Sequence, residues 1–214
     1  MGSMSSKRSR NKRPQGSPVP RPVQPAAQPE SEPQGNPAIL VAVLIVFTLF
    51  MGWYYHLSVL GQMKDLVGGV TMLDHRPFGY SGADVDALRS VMTGDDRGQL
   101  SWVHKTAGTI FTALISLVAV VSVGLYAPKT AWRRLLFIPP ALFLVVGIAQ
   151  NIVVDELLGR QDNGLLGAAN VLTIVSWILL VACVLMTIAV LVTAFIREFL
   201  RRWRDPSLQQ SGGR

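Results

Sequence analysis

Charged residues are scarce in this sequence, and long stretches of it have none. Asp, Glu, Lys and Arg make up 15% of the 214 residues, whereas hydrophobic residues make up 50%. Soluble domains carry charge on about a quarter of their residues. The scarcity of charge therefore argues against a soluble globular domain.

Cysteine and recognisable catalytic motifs are also lacking. Cys183 is the only cysteine, so no disulfide forms within the chain, and its apolar surroundings predict a small packing residue. The sequence has no GxSxG, no phosphate-cradling glycine loop and no HExxH motif. We therefore predict no catalytic residues and expect a protein that is not an enzyme.

Four apolar segments are the main feature that is present. They cover residues 38–57, 103–126, 135–154 and 168–196. At ~1.5 Å per residue, each helix is long enough for a hydrocarbon core of ~30 Å. This predicts an all-α integral membrane protein with a four-span, multi-pass domain over residues 38–196. The first segment ends without a small-residue cleavage site, which favours a retained span over a signal peptide.

The basic residues predict an orientation. Of the 20 Lys and Arg residues, 14 lie in the two tails or in the loop between the second and third segments. The positive-inside rule therefore places both termini in the cytoplasm, with the protein in the plasma membrane, in a bacterium the cytoplasmic membrane. This placement indicates contact with anionic lipid headgroups, and no nucleic-acid partner is predicted.

The two tails differ in composition from the membrane domain. Residues 1–37 combine a basic cluster with a proline-rich run, have no apolar periodicity and are predicted to be disordered. Pro22 and Pro25 make a formal PxxP match, but dense prolines weaken its meaning. Residues 197–214 are predicted to be a second basic cytoplasmic tail.

Residues 58–101 form the one sizeable outer loop. Ser81 followed three residues later by Asp84 is an acidic version of a capping box, and apolar residues then recur at helical spacing. A short amphipathic helix is therefore predicted over residues 82–92. Its apolar face needs cover, either from the ends of the spans or from the bilayer surface.

The start of this loop helix also carries a resemblance. Pro77 and Gly79 indicate a turn. The segment resembles an uncharacterised group of small bacterial four-span membrane proteins with a PxGYS-type outer loop. The matching outer-loop cap residues are Pro77, Phe78, Gly79, Tyr80, Ser81 and, after the helix, Arg97. The resemblance implies the four-span architecture and no activity. Where that group has an acidic residue before Asn, this chain has Gln150.

Polar residues inside the apolar segments are costly in hydrocarbon unless they are paired. They gather in the outer half of the predicted bundle, which predicts a polar pocket opening outward. The residues assigned to this pocket are Lys105, Thr109, Gln150, Asn151, Asp155 and Asn170.

Two further expectations concern charged and kinked positions. Antiparallel spans place Lys105 at the same depth as Asp155 and Glu156, which predicts an ion pair at the outer rim; the alternative is that Lys105 extends alone to the headgroups. Pro139 and Pro140 are predicted to kink the third span.

All three histidines, His56, His75 and His104, are predicted on the outer side. With Asp74 or Asp155 they offer ligands for zinc or copper, and two of them offer ligands for haem. Against this, no pair has a local spacing such as HxxxH, and interfacial histidines are ordinary amphipathic residues. No cofactor is predicted, and a metal ion or haem is the alternative.

Two classes of function follow from the sequence. The favoured one is a non-catalytic accessory or assembly subunit that packs against another, larger membrane protein. The alternative is a lipid- or redox-active protein that uses the outer polar pocket. A transporter is a third possibility, although the four spans show no internal repeat.

Overall fold

A computed structural model describes residues 35–204 of this chain. All regular structure in that part is helical, and four helices are long and apolar enough to cross a membrane. They are Pro37–Leu66, Gly94–Tyr126, Ala131–Gly159 and Leu166–Arg204, called here the first to fourth spans. The predicted all-α fold with four membrane spans is confirmed.

The helices extend beyond the apolar segments that predict them. The first span continues through a π-helical turn, Trp53–Val59, and the fourth continues to Arg204. Backbone hydrogen bonding does not stop where polar side chains begin, so hydropathy alone places helix ends too early. Most of the two predicted tails, including the PxxP match, falls in residues 1–34 and 205–214, outside the described residues.

The second span is the centre of the bundle. It packs against the first, third and fourth spans, and 50% of its most apolar window of 18 residues is buried, against 6% for the fourth span. Small residues allow close approach: a Cβ atom at Gly147 would lie 2.7 Å from Cγ2 of Thr112. Such approach is the usual way that membrane helices gain packing energy.

Pro139 and Pro140 begin a helix instead of kinking one. The third span opens with a 3-10 segment, Ala131–Phe137, and its α-helix, Ile138–Gly159, has proline within its first two positions. The predicted kink is therefore wrong. A proline at the start of a helix loses no hydrogen bond, because the first N–H groups have no partner within the helix.

The outer loop contains the predicted amphipathic helix, Gly82–Val91. The Ser81 hydroxyl accepts from the backbone N–H of Asp84, and the Asp84 carboxylate accepts from the backbone N–H of Ser81, which is the predicted capping pair. Val85 and Leu88 are fully buried. Their burial contributes about 1.5–3 kcal/mol each.

This loop covers the outer ends of the spans. Its buried residues belong to one hydrophobic cluster with residues of all four spans. The ends of the spans therefore cover the apolar face of the loop helix. The loop members of the cluster include Met72, Leu73, Tyr80, Val85, Leu88 and Met92. The helix therefore lies on the bundle and not on the bilayer surface.

The second span begins earlier than predicted, at Gly94. Thr93 and Asp96 form a second capping box, in which each side chain accepts from the backbone N–H of the other residue. This T-x-x-D pattern is visible in the sequence. The residues that follow it are polar, however, so hydropathy does not identify them as part of a membrane-spanning helix. The outer loop is correspondingly shorter than residues 58–101.

Candidate functional site

His104 lies between two aspartates at the outer end of the bundle. Its Nδ1 is 2.6 Å from Oδ1 of Asp155, and its Nε2 is 3.2 Å from Oδ2 of Asp74. The His104 side chain is fully buried. Ionised carboxylates only accept hydrogen bonds, so both contacts together require an N–H on each ring nitrogen, as in the imidazolium form.

Asp74 joins the outer loop to three spans. It lies in a 3-10 turn, Leu73–His75, and is 4% exposed. Besides His104 of the second span, Oδ1 accepts from Nε2 of Gln150 in the third, and the backbone carbonyl accepts from Nε1 of Trp177 in the fourth. Burial alone would raise the pKa of Asp74, but the charge and hydrogen bond of His104 hold this pKa below its ordinary value.

A π-helical turn, His104–Gly108, positions the histidine. Such a turn adds one residue to the helix, and the backbone N–H of Thr109 donates to the carbonyl of His104 across it. The carbonyl of His104 accepts from Nδ2 of Asn151 and from Oγ1 of Thr109. The side chain of Asn151 thus ties the third span to the second at this turn.

The ion pair predicted for Lys105 is wrong. Asp155 pairs with His104, Glu156 lies beside Arg160, and Lys105 is exposed. The extra residue of the π turn explains the error. On a regular α-helix, residue 105 would share a face with Thr109 and Thr112; after the π turn, His104 takes that inward position. Lys105 therefore lies on the surface, as in the alternative in which it extends alone to the headgroups.

We call the connected residues the polar lock: Asp74, His104, Gln150, Asn151, Asp155 and Trp177. They come from the outer loop and from three spans, and their hydrogen bonds run among themselves. A buried polar network whose members are hydrogen-bonded rigidifies a structure and specifies one arrangement.

A second connection joins the loop to the fourth span at Gly79. Pro77 and Phe78 form the turn that precedes it, closed by a hydrogen bond from Gly79 N to Arg76 O. The backbone N–H of Tyr80 donates to Oδ1 of Asn170 at 3.1 Å. Its hydroxyl lies 3.4 Å from Oγ1 of Thr173, and burial raises the pKa of Tyr80 to about 12.

Arginines of the outer region cap the end of the third span. Nη2 of Arg89 donates to the carbonyls of Leu157 and Asp162, and Nη1 donates to Oδ1 of Asn163. Arg97 reaches the carbonyl of Leu158 at 3.4 Å. The last carbonyls of a helix have no partner within it and attract cations, so both arginines hold the loop helix and the second span against this end.

The three histidines do not converge. His56 and His75 face each other, with ring centroids 5.7 Å apart, whereas both nitrogens of His104 are used by aspartates. Over residues 35–204, no three His, Cys, Asp or Glu side chains are grouped so as to hold a metal ion. Binding of a metal ion or haem by these histidines stays an alternative to the prediction of no cofactor.

A polar cavity lies beneath Asp74. The volume accessible to the centre of a water molecule in this cavity is about 40 Å³. The wall includes His56, Asp74, Gln150, Asn151 and Ser176. A water needs roughly 10–15 Å³ on this measure, so the cavity has room for a small polar group. Both ring nitrogens of His56 are buried, and neither has a hydrogen-bond partner among the described protein atoms.

The predicted pocket residues are only partly together. Gln150 and Asn151 line the cavity, and Asp155 is connected through His104 to the wall residue Asp74. Asn170 holds the loop at Tyr80, Thr109 bonds within its own helix, and Lys105 is exposed. These polar groups lie in the half of the bundle next to the loop, where they make separate contacts.

Sequence reasoning missed three contributors. Trp177 is a polar donor in a strongly apolar span, and that contrast was a usable signal. Arg89 follows Leu88 at the edge of the apolar face of the loop helix, where a cation signals a buried acceptor. The pairing of Asp74 with His104 had no signal, because the two residues come together only in the folded chain.

Comparison with protein-family models, with curated proteins and with solved structures finds no match for this chain.

Proposed function

We propose that this multi-pass membrane protein is a non-catalytic accessory or assembly subunit, and that its outer loop is the surface it presents to another membrane protein. The observation that carries this proposal is the polar lock. Its titratable side chains are hydrogen-bonded to one another across the loop and the spans. A catalytic acid or base needs a free position beside the reacting atom, whereas these groups fasten a loop.

The fastened loop presents one prominent side chain. Phe78 is 95% exposed, and it is held in place by the turn before Gly79 and by the Tyr80–Asn170 hydrogen bond. A large aromatic residue on a rigid tip offers contact area at little entropy cost, which is typical of interface residues. We place the contact with a partner at Phe78.

The test uses a photo-crosslinking amino acid at position 78, with the same amino acid at exposed Asp95 as the control. In cells, position 78 should give a discrete protein adduct and position 95 should not. Phe78→Ser should lower recovery of the adduct's partner with this protein while leaving its melting temperature unchanged. Lipid adducts alone at position 78, or full recovery with Phe78→Ser, would reject the proposed contact.

The proposed location is the plasma membrane, bacterial cytoplasmic in type, with both termini in the cytoplasm. Residues 35–204 contain four candidate spans, an even number, which supports placing both ends on one side. At the end of the fourth span, Arg197, Arg202 and Arg204 lie beside Phe199 and Trp203, a combination that suits anionic headgroups at an interface.

Cysteine labelling tests this orientation. In a Cys183→Ala background, Ser90→Cys should react with an impermeant thiol reagent in intact cells, because Ser90 is exposed on the loop helix. Ser5→Cys and Gln209→Cys should react only after the membrane is permeabilised. The reverse pattern would place the loop in the cytoplasm.

A further inference from the structure

An apolar cleft lies next to the polar cavity. Phe111 and Leu180 line the cavity, and the same two residues line the cleft of about 420 Å³ between the first and fourth spans. The walls of this cleft come from Leu49 and Trp53 on one side and from Val184 on the other. The cavity and the cleft therefore share part of their walls.

The cleft continues toward the middle of the fourth span. A second apolar space of about 200 Å³ shares Leu49, Ile115 and Val184 with the first and reaches Leu191. From the level of Trp177 to that of Leu191, the fourth span rises about 20 Å at ~1.5 Å per residue. This is the length scale of a long alkyl chain.

His56 indicates what the cavity binds. Its ring lies against Phe111 and Trp177, with centroids 5.0 and 5.9 Å away, and its two buried nitrogens are without partners in the described protein. A buried polar group that lacks a partner costs stability, so it calls for an explanation. A ligand hydroxyl or carbonyl beside His56 supplies the missing hydrogen bond.

Charge decides between lipid classes. The cavity wall contains Asp74 and no Lys or Arg. A carboxylate in the wall, with no cation beside it there, repels a phosphate, and the cavity is too small for a phosphodiester headgroup. The head that suits it is small and uncharged.

We propose that the cavity and the adjoining cleft form a binding site for a neutral long-chain lipid, with a hydroxyl or carbonyl head at His56 and its chain between the first and fourth spans. This inference does not depend on the proposed role as a subunit. A small polar cavity beside an apolar cleft open to the bilayer matches the two parts of such a molecule.

The experiment uses the full chain in phosphatidylcholine vesicles and a photoactivatable octadecanol with an alkyne handle. The matched probe is the sulfate ester of the same alcohol, which differs only in its charged head. The alcohol should label peptides around Leu49 and Val184, and the sulfate ester should label them about tenfold less. Equal labelling by both probes would overturn the proposal.

Variants separate the chain from the head. Val184→Trp fills the cleft and should abolish labelling there, whereas Ile178→Trp, on an exposed part of the fourth span that does not line the cleft, should not. Leu49→Trp, from the opposite wall, makes the same test should Val184→Trp fail to fold. His56→Phe should lower labelling by the alcohol about tenfold with no loss of melting temperature. Unchanged labelling in the filled-cleft variants, or in His56→Phe, would reject the site.

Discussion

Replacement of Asp74 by alanine is expected to lower the free energy of unfolding by about 3–5 kcal/mol, the cost of breaking a buried ion pair. The variant strands Nε2 of His104 and the amide of Gln150, both of which donate to this carboxylate. Because folding lowers the pKa of Asp74, its stabilisation is present above pH ~4 and is lost as the pH falls through the folded value. Unfolding in mild detergent, followed by circular dichroism, measures the loss.

Asp65→Ala is the matched control, since Asp65 is exposed on the first span. It should change the free energy of unfolding by less than about 0.5 kcal/mol. In a double-mutant cycle, His104→Ala combined with Asp74→Ala should cost less than the sum of the two single variants, because each single variant strands the other charge. Equal losses of unfolding free energy for Asp74→Ala and Asp65→Ala would show that the polar lock does not stabilise the protein. Strictly additive losses in the double-mutant cycle would show the same for the contact between Asp74 and His104.

Gly79→Val is expected to destabilise the protein by about 3 kcal/mol, from backbone strain of ~1–2 kcal/mol and a steric term of similar size. Gly79 has φ +94°, and a Cβ atom there would lie 2.3 Å from Oδ1 of Asn170. The valine displaces the side chain that accepts from the Tyr80 N–H. Thermal unfolding and protease resistance of the outer loop both report the effect.

Gly68→Val separates the two terms. Gly68 also has positive φ, +70°, but nothing lies within 4 Å of its Cβ position, so this variant shows the strain alone. Asn170→Ala in the Gly79→Val background should relieve part of the clash and so recover part of the lost stability. If Gly79→Val were no worse than Gly68→Val, the close approach of the loop to the fourth span would be refuted.

The polar lock and the lipid site use neighbouring residues for different purposes. Asp74, Gln150 and Asn151 have partners that fix the loop, whereas His56, on the other side of the same cavity, has none in the described chain. The first group determines stability, and the second residue determines binding. The variants above therefore act on separate measurements: Asp74→Ala on unfolding, His56→Phe on lipid labelling.

Some of the architecture follows from local rules. The four spans were predictable because long apolar segments have few alternatives to a helix in a membrane. The loop helix was predictable because Ser81 and Asp84 carry a capping pattern that acts within four residues. The same rule would have found Thr93 and Asp96, had the polar stretch after them been considered as a helix.

The partners of the polar residues did not follow from local rules. The rim ion pair failed because it assumed regular α-helical spacing through His104 and Lys105, and a π turn changes which of the two faces inward. Nothing local announces that turn, since it is stabilised by Asn151 on another span.

The sequence by itself determined the helices, their apolar lengths and the ends set by capping residues, because these depend on hydropathy and on neighbours within one helical turn. Only the tertiary structure decided that Asp74 and Asp155 meet His104, that Asn170 receives the loop, and that a cleft separates the first span from the fourth. Each of these joins residues distant in the chain, and their pairing depends on helix register and on which faces pack. Hydropathy carries no information on either.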